Sequence, residues 1–167
     1  APLAAARGLP ILLTQASTVP SATALALASL ETSETIVVGG PNAIAEEAVE
    51  TLPAPQRLAG PDRYATARRA AVVGLDGGYG IPPTYRKDRF IVASGQVFPD
   101  ALAGGVFAAR ARGPVLLTQS DTLSAATSSL IGARGDSLVG CYLLGGTVTL
   151  SPTVAAGVDE AIRSAQE

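Results

Sequence analysis

Histidine, methionine and tryptophan are missing from these 167 residues, and cysteine occurs once, at position 141. Without histidine there is neither the usual general base of a nucleophilic triad nor an imidazole ligand for a metal. A single cysteine excludes a disulfide framework within the chain. Val139, Tyr142, Leu143 and Leu144 around Cys141 have the character of a buried strand, so the thiol reads as inert core. Charge is sparse as well: 16% of residues, with 12 basic against 14 acidic side chains and a net −2. A nucleic-acid binder shows a marked basic excess, so no nucleic-acid partner is expected. Lysine occurs only as Lys87, every other cation being arginine. Arg, Gly, Pro or Ser interrupts each apolar run well short of the roughly 18 residues of a membrane span. No Gly-x-Gly-x-x-Gly follows a strand, and Lys87 lies in no phosphate-binding loop of the Walker kind. Glu46/Glu47 and Asp159/Glu160 sit on outward helix faces, so no catalytic residue, metal site or cofactor is expected.

What is present is apolar. Hydrophobic residues make up 47% of the chain, which excludes disorder. The length fits one ordinary domain, or one and a half small repeats. Five short runs have strand character: Pro10–Thr14, Thr35–Gly40, Phe90–Gly95, Pro114–Thr118 and Cys141–Gly146. Each is apolar almost throughout, as parallel strands covered on both faces are. Between them the spacing turns helical. Ile44, Ala48, Val49 and Leu52 share one face, with Glu46, Glu47 and Glu50 outside. Tyr64, Ala67 and Ala71 form a second stripe, Leu102, Val106 and Ala109 a third, and Val154, Val158 and Ile162 a fourth. Ser151-Pro152 and Pro99-Asp100 supply start signals. Alternating strand and helix predict an α/β fold with a mostly parallel sheet flanked by helices.

The chain also repeats itself. Pro10-Ile11-Leu12-Leu13-Thr14-Gln15 matches Pro114-Val115-Leu116-Leu117-Thr118-Gln119, and Thr23 matches Thr127. Val37-Val38-Gly39-Gly40 matches Leu143-Leu144-Gly145-Gly146, two residues having entered the loop between. Ile44 then matches Leu150, and Leu52 matches Val158. Counted back, Ala1 corresponds to Gly105, in mid-helix. The expected organisation is the back half of one unit over residues 1–56 and a complete second unit over 57–167. A chain opening on Ala-Pro-Leu-Ala-Ala-Ala, with no charged n-region, reads as a piece of something longer.

Arg57-Leu58-Ala59-Gly60-Pro61-Asp62-Arg63-Tyr64-Ala65-Thr66-Ala67 resembles the opening of the type 2 cell-wall-binding repeat of Gram-positive and actinobacterial surface proteins. Val92–Gly95, Phe98–Leu102, Pro114–Thr118 and Leu144–Gly146 follow in that family's order. The resemblance spans nearly all of residues 57–164 and the back half of a repeat over 1–56. It implies Toprim-like or flavodoxin-like modules, about three to a protein, that hold an extracellular parent to the wall through anionic glycopolymers. Asp-x-Asp is absent, so such a fold would lack the metal-binding acidic pair of catalytic Toprim domains. The segment Gly74–Asp88 is longer than the resemblance leads one to expect.

Candidate contacts for such a polymer follow from side-chain chemistry. Arg63 has a planar fork for phosphate or carboxylate, with the alternative of pairing with Asp62 or Asp100 to pin a helix start. Arg68 and Arg69 form, with Arg57, the densest positive stretch, unless they are simply a solvated face. Ser94, Thr118, Gly145 and Gly146 line the crevice beyond the carboxyl ends of the strands, or else cap and turn the chain there. Tyr79 and Tyr85, in the long loop, have rings suited to stacking on sugars, the other reading being a mobile insertion. Two further readings stay open: a self-associating structural module, and a cofactor-binding α/β enzyme fragment.

Overall fold

A computed structural model describes residues 1–166. In chain order the elements are α1 (Pro2–Arg7), α2 (Ser21–Ser29), β1 (Thr35–Val38), α3 (Glu46–Val49) and β2 (Pro55–Leu58), then α4 (Arg63–Asp76), β3 (Arg89–Ser94) and α5 (Phe98–Ala111). They continue with β4 (Val115–Thr118), α6 (Ala125–Gly132), a 3-10 turn (Gly135–Ser137), β5 (Gly140–Leu144) and α7 (Pro152–Arg163). All strand pairings are parallel, so the architecture is α/β as the alternation predicts. One sheet has the order β4-β3-β5, with Ile91 opposite Val115 on one side and Tyr142 on the other. The second sheet is the pair β1-β2, in register from Thr35 against Pro55 to Val38 against Leu58.

The core gathers around β3. Phe90, Ile91, Val92, Ala93 and Ser94 are all fully buried. Phe90 and Val92 pack with Leu75 and Ala71 of α4, Leu116 of β4, Leu130 and Ile131 of α6, and Val158 of α7. Tyr85 joins this cluster, and its ring lies against Gly74, where any Cβ would stand 2.2 Å from ring carbons. A smaller cluster of Leu58, Val73 and Ile81 sits between α4 and β2.

The repeat read in the sequence recurs as hydrogen bonds. Thr14 Oγ1 donates to the Thr18 carbonyl at 3.0 Å, as Thr118 Oγ1 does to Thr122 at 2.9 Å. Thr23 Oγ1 donates to the Leu13 carbonyl at 2.6 Å, and Thr127 Oγ1 to that of Leu117 at 2.6 Å. The Ala45 amide reaches the Ala16 carbonyl at 2.7 Å, and the Ser151 amide that of Ser120 at 2.8 Å. Gly39 and Gly145 both turn at positive φ, 138° and 123°. Residues at the C-caps of α1 and α5, Gly8 and Arg112, are both left-handed.

Sheet formation does not follow the repeat. Pro10–Thr14 makes no strand pairing, and Leu12 is 37% exposed while its counterpart Leu116 is 0% exposed. The reason is the neighbour. Leu116 lies on β4, paired to β3, and no strand equivalent to β3 adjoins Pro10–Thr14. β2 takes a place the sequence reading left blank, because Gln56 and Arg57 interrupt any apolar run and Pro55 stands at the first position of an edge strand. The helix expected over Ile44–Leu52 is a single turn, α3, closed by Pro53 and Pro55. In α5 the predicted inner stripe faces out: Leu102 is 67% and Val106 69% exposed, while Gly104, Gly105 and Ala108 are buried. The two glycines let the helix press on its neighbours, Gly104 against the Leu144 side chain and Gly105 against Ala1. Ser151 stands at the N-cap of α7, but its hydroxyl makes no capping bond.

The unequal surroundings of the two matching leucines give a direct test. Leu116→Ala should cost about 2–5 kcal/mol in urea unfolding, and Leu12→Ala less than about 1 kcal/mol. Equal losses at the two positions would contradict this packing.

Candidate functional site

With β3 central and its neighbours reached in opposite directions, the strand order switches at the carboxyl end of β3. Ligands of open α/β sheets sit outside such a point. Three loops meet there: Gly95–Val97 after β3, Gln119–Leu123 after β4 and Gly145–Leu150 after β5. The start of α4 closes one side, with Asp62 as its N-cap accepting from the Ala65 amide at 2.7 Å.

Most of the crevice's polar groups are engaged in building it. Ser94 is fully buried; its Oγ accepts from the Gln96 and Val97 amides and lies 3.2 Å from Ser120 Oγ. Thr118, also fully buried, accepts from the Ser124 amide at 2.8 Å while donating to Thr122. Arg63 donates through Nη1 to the Gly95 carbonyl at 2.5 Å. It thus ties the α4 start to the loop after β3, through a carbonyl in place of the carboxylates Asp62 or Asp100. Gly95 permits that approach, since a Cβ there would lie 2.7 Å from the Tyr64 ring. Gln96 and Ser120 were not singled out in the sequence; Gln96 Oε1 accepts from the Ser120 amide at 2.9 Å and joins two of the loops. Only their neighbourhood to Ser94 and Thr118 in the chain could have signalled them.

Arg57 stands apart from the crevice. Its guanidinium donates to the Gly39 carbonyl at 2.7 Å and pairs with Glu46 at 3.0 Å, so it fastens β2 to the turn after β1. The equivalent turn at Gly145-Gly146 is exposed, and a Cβ at Gly146 would meet open space. Gly145 itself is crowded: a Cβ there would stand 2.8 Å from Asp100 Oδ2. Arg68 and Arg69 are exposed on the outer face of α4, Arg69 reaching the Ala59 carbonyl at 3.3 Å.

The structure thus brings Arg63, Ser94, Thr118, Gly145 and Gly146 to one end of the sheet, keeps Arg68 and Arg69 on an adjoining helix face, and places Arg57 in the two-stranded sheet, away from them. The tyrosines fare otherwise. Tyr85 is a core residue, 9% exposed, and burial pushes its hydroxyl well above the usual tyrosine range. The expected sugar contact there is corrected, because the ring fills the space that Gly74 leaves. Tyr79 is half-buried against the smaller cluster and donates its hydroxyl to the Arg57 carbonyl at 3.1 Å.

Among the described residues, no three His, Cys, Asp or Glu side chains converge as a metal site would require. Among the same residues, no helix is long and apolar enough to cross a membrane.

The sequence profile of cell wall binding domain 2 matches residues 57–155, more than half of the chain. The chain belongs to that family. It is 31% identical over 154 residues to the N-acetylmuramoyl-L-alanine amidase LytC of Bacillus subtilis (strain 168), covering 92% of this chain and 29% of that protein. The amidase enhancer of the same organism is 32% identical over 125 residues, covering 73% of this chain and 16% of the relative. The chain therefore spans less than a third of the length of either. Among solved structures, Cwp6 from Clostridium difficile superimposes with a TM-score of 0.81 at 23% identity, over 96% of this chain and 25% of that one. Cwp8 from the same species gives 0.73 at 22% identity, over 96% and 26%. Those two likenesses establish the shared fold.

Cys141, on β5, is half-buried, and burial together with the nearby Asp159 charge raises its thiol to about 11. At about pH 8.5, alkylation of the native protein should run at least about tenfold slower than in urea. Equal rates would show an open thiolate and contradict the strand packing.

Proposed function

We propose that this chain attaches its parent protein to the bacterial wall by non-covalent capture of an anionic wall glycopolymer, and performs no chemistry of its own. Membership of the cell wall binding domain 2 family carries the reading. The site supports it: the buried hydroxyls of Ser94 and Thr118 are engaged in shaping loops, which leaves them no nucleophilic part. Arg68 and Arg69 offer forks for phosphate or carboxylate, and the exposed Gly145-Gly146 turn lets a polymer approach the backbone closely. Arg63, Ser94 and Thr118 hold the loops beside them in place, while Arg57 ties β2 to the turn after β1 and Tyr79 ties the segment after α4 to β2.

In the same reading, residues 1–56 are the back half of one wall-binding unit and 57–167 a complete second unit. The parent is a longer, extracellular, wall-associated protein, in keeping with the small share of its relatives that the chain spans. Several units on one polymer give avidity that a single unit lacks. A second reading, association with further units or with another copy, draws on one observation. Phe98, Leu102 and Val106 form an exposed apolar stripe on α5, extended by Phe107 packed edge-on against Tyr142.

Sedimentation with purified Gram-positive cell walls tests attachment. The protein should pellet with walls at about 50 mM NaCl and be released progressively towards about 500 mM, as screening shortens the reach of its cations. Retention indifferent to salt would contradict the anionic contact, and absence of retention would contradict attachment. Light scattering separates the second reading: a tight oligomer without wall affinity favours it.

A further inference from the structure

The long segment between α4 and β3 is neither mobile nor free of chemistry. The amides of Thr84 and Tyr85 both donate to the Gly74 carbonyl at 2.8 Å, and the Tyr85 ring is anchored in the core. The Arg86 amide donates to the Arg112 carbonyl at 2.7 Å, while the Arg112 guanidinium returns two bonds to the Thr84 carbonyl. On the other side, Ser137 Oγ donates to the Lys87 carbonyl and the Val139 amide to that of Asp88. The segment is therefore held from α4, from the end of α5 and from the turn before β5.

These bonds collect cations. Arg86, Lys87, Arg89, Arg112 and Arg134 stand together at the amino-terminal end of the three-stranded sheet, opposite the crevice. Two carboxylates serve them. Asp88 takes both Arg86, at 2.6 Å, and Arg89, at 3.3 Å; Asp76 takes Arg134 and, at 3.8 Å, Lys87. The two guanidiniums hold Asp88 well below the usual carboxylate range. Even with Asp136 of the adjoining turn and Asp159 beside Cys141 counted, these five cations outnumber the four carboxylates near them among the described residues. The side chains of Arg86 and Lys87 are more than half exposed. By contrast, the loops and helix starts at the crevice end carry Asp62, Asp100 and Asp121 as well as Arg63. In a chain of net −2, five of the 12 basic side chains thus stand at one fixed end.

We propose that this end, built by the Arg86–Arg89 segment with Arg112 and Arg134, is a binding site for a linear polyanion bearing phosphate or carboxylate groups along its length. Ion pairing accounts for part of the cluster and leaves an excess of charge, with Arg86 and Lys87 more than half exposed. Because the segment is pinned by backbone bonds, little ordering is required when the polyanion arrives. The class of ligand agrees with the attachment reading, but the site is a separate surface and does not depend on it.

Elution from a resin carrying inorganic polyphosphate tests the site. The wild type should be retained at about 50 mM NaCl, and Arg86→Gln/Lys87→Gln should bind roughly tenfold more weakly and with a shallower dependence on salt. Arg86→Lys/Lys87→Arg, which keeps both charges, should elute with the wild type, and unchanged thermal unfolding of each variant separates lost charge from lost fold. The site is overturned if the wild type passes through the resin or if the glutamine variant elutes with it. It is also overturned if inorganic phosphate displaces the protein at the same phosphate concentration as free polyphosphate, or if single-stranded nucleic acid displaces it better than polyphosphate does. Wall retention with unchanged polyphosphate elution defeats this site and leaves attachment standing. Polyphosphate retention without wall retention does the reverse.

Discussion

Burial of β3 between two parallel neighbours is the constraint on which the part of the chain from α4 to α7 rests. Five consecutive residues, Phe90 to Ser94, are removed from water there, and the middle three, Ile91 to Ala93, are paired on both sides by β4 and β5. A fully covered strand has no face left for polar side chains, so it reads as a continuous apolar run. Its two neighbours lie on opposite sides, which brings three loop ends together beyond Ser94. The helices α4, α6 and α7 then gather on the same apolar residues. Take the central strand away and the loops lose their common anchor.

The first half of the chain shows what that means. Its turns, its threonine-to-carbonyl bonds and its positive-φ glycine reproduce those of the second half almost bond for bond. Local chemistry is thus sufficient to set the loops. It does not make a strand of Pro10–Thr14, which has the same kind of sequence as Pro114–Thr118 and yet lies largely exposed. A strand is a relation between segments, and hydrogen-bond partners at a distance in the chain decide it.

This explains what was legible in the sequence and what was not. The α/β class, the repeat and four of the five expected strands follow from apolar runs and matched motifs, because those runs record burial directly. β2 was hidden since an edge strand with Gln56 and Arg57 carries no such record. The spacing in α5 marks an apolar stripe without saying that Gly104 and Gly105 allow the opposite face to approach more closely. At the candidate site, the crevice residues could be placed by the rule that ligands sit beyond strand ends. Their engagement with backbone amides could not, as it depends on loop geometry. Tyr85 shows the same limit: nothing near it in the chain announces that it fills the gap beside Gly74.

The pairing of β1 with β2 carries a consequence for the assembly as a whole. β2, which leads into α4 and the three-stranded sheet, is hydrogen-bonded in register to β1 of the preceding part of the chain, and Arg57 clamps the same pairing. The halves are consequently not beads on a flexible string. Their relative orientation is set by a shared ladder, so a surface feature of one stands at a fixed distance and angle from its counterpart in the other, as rungs do.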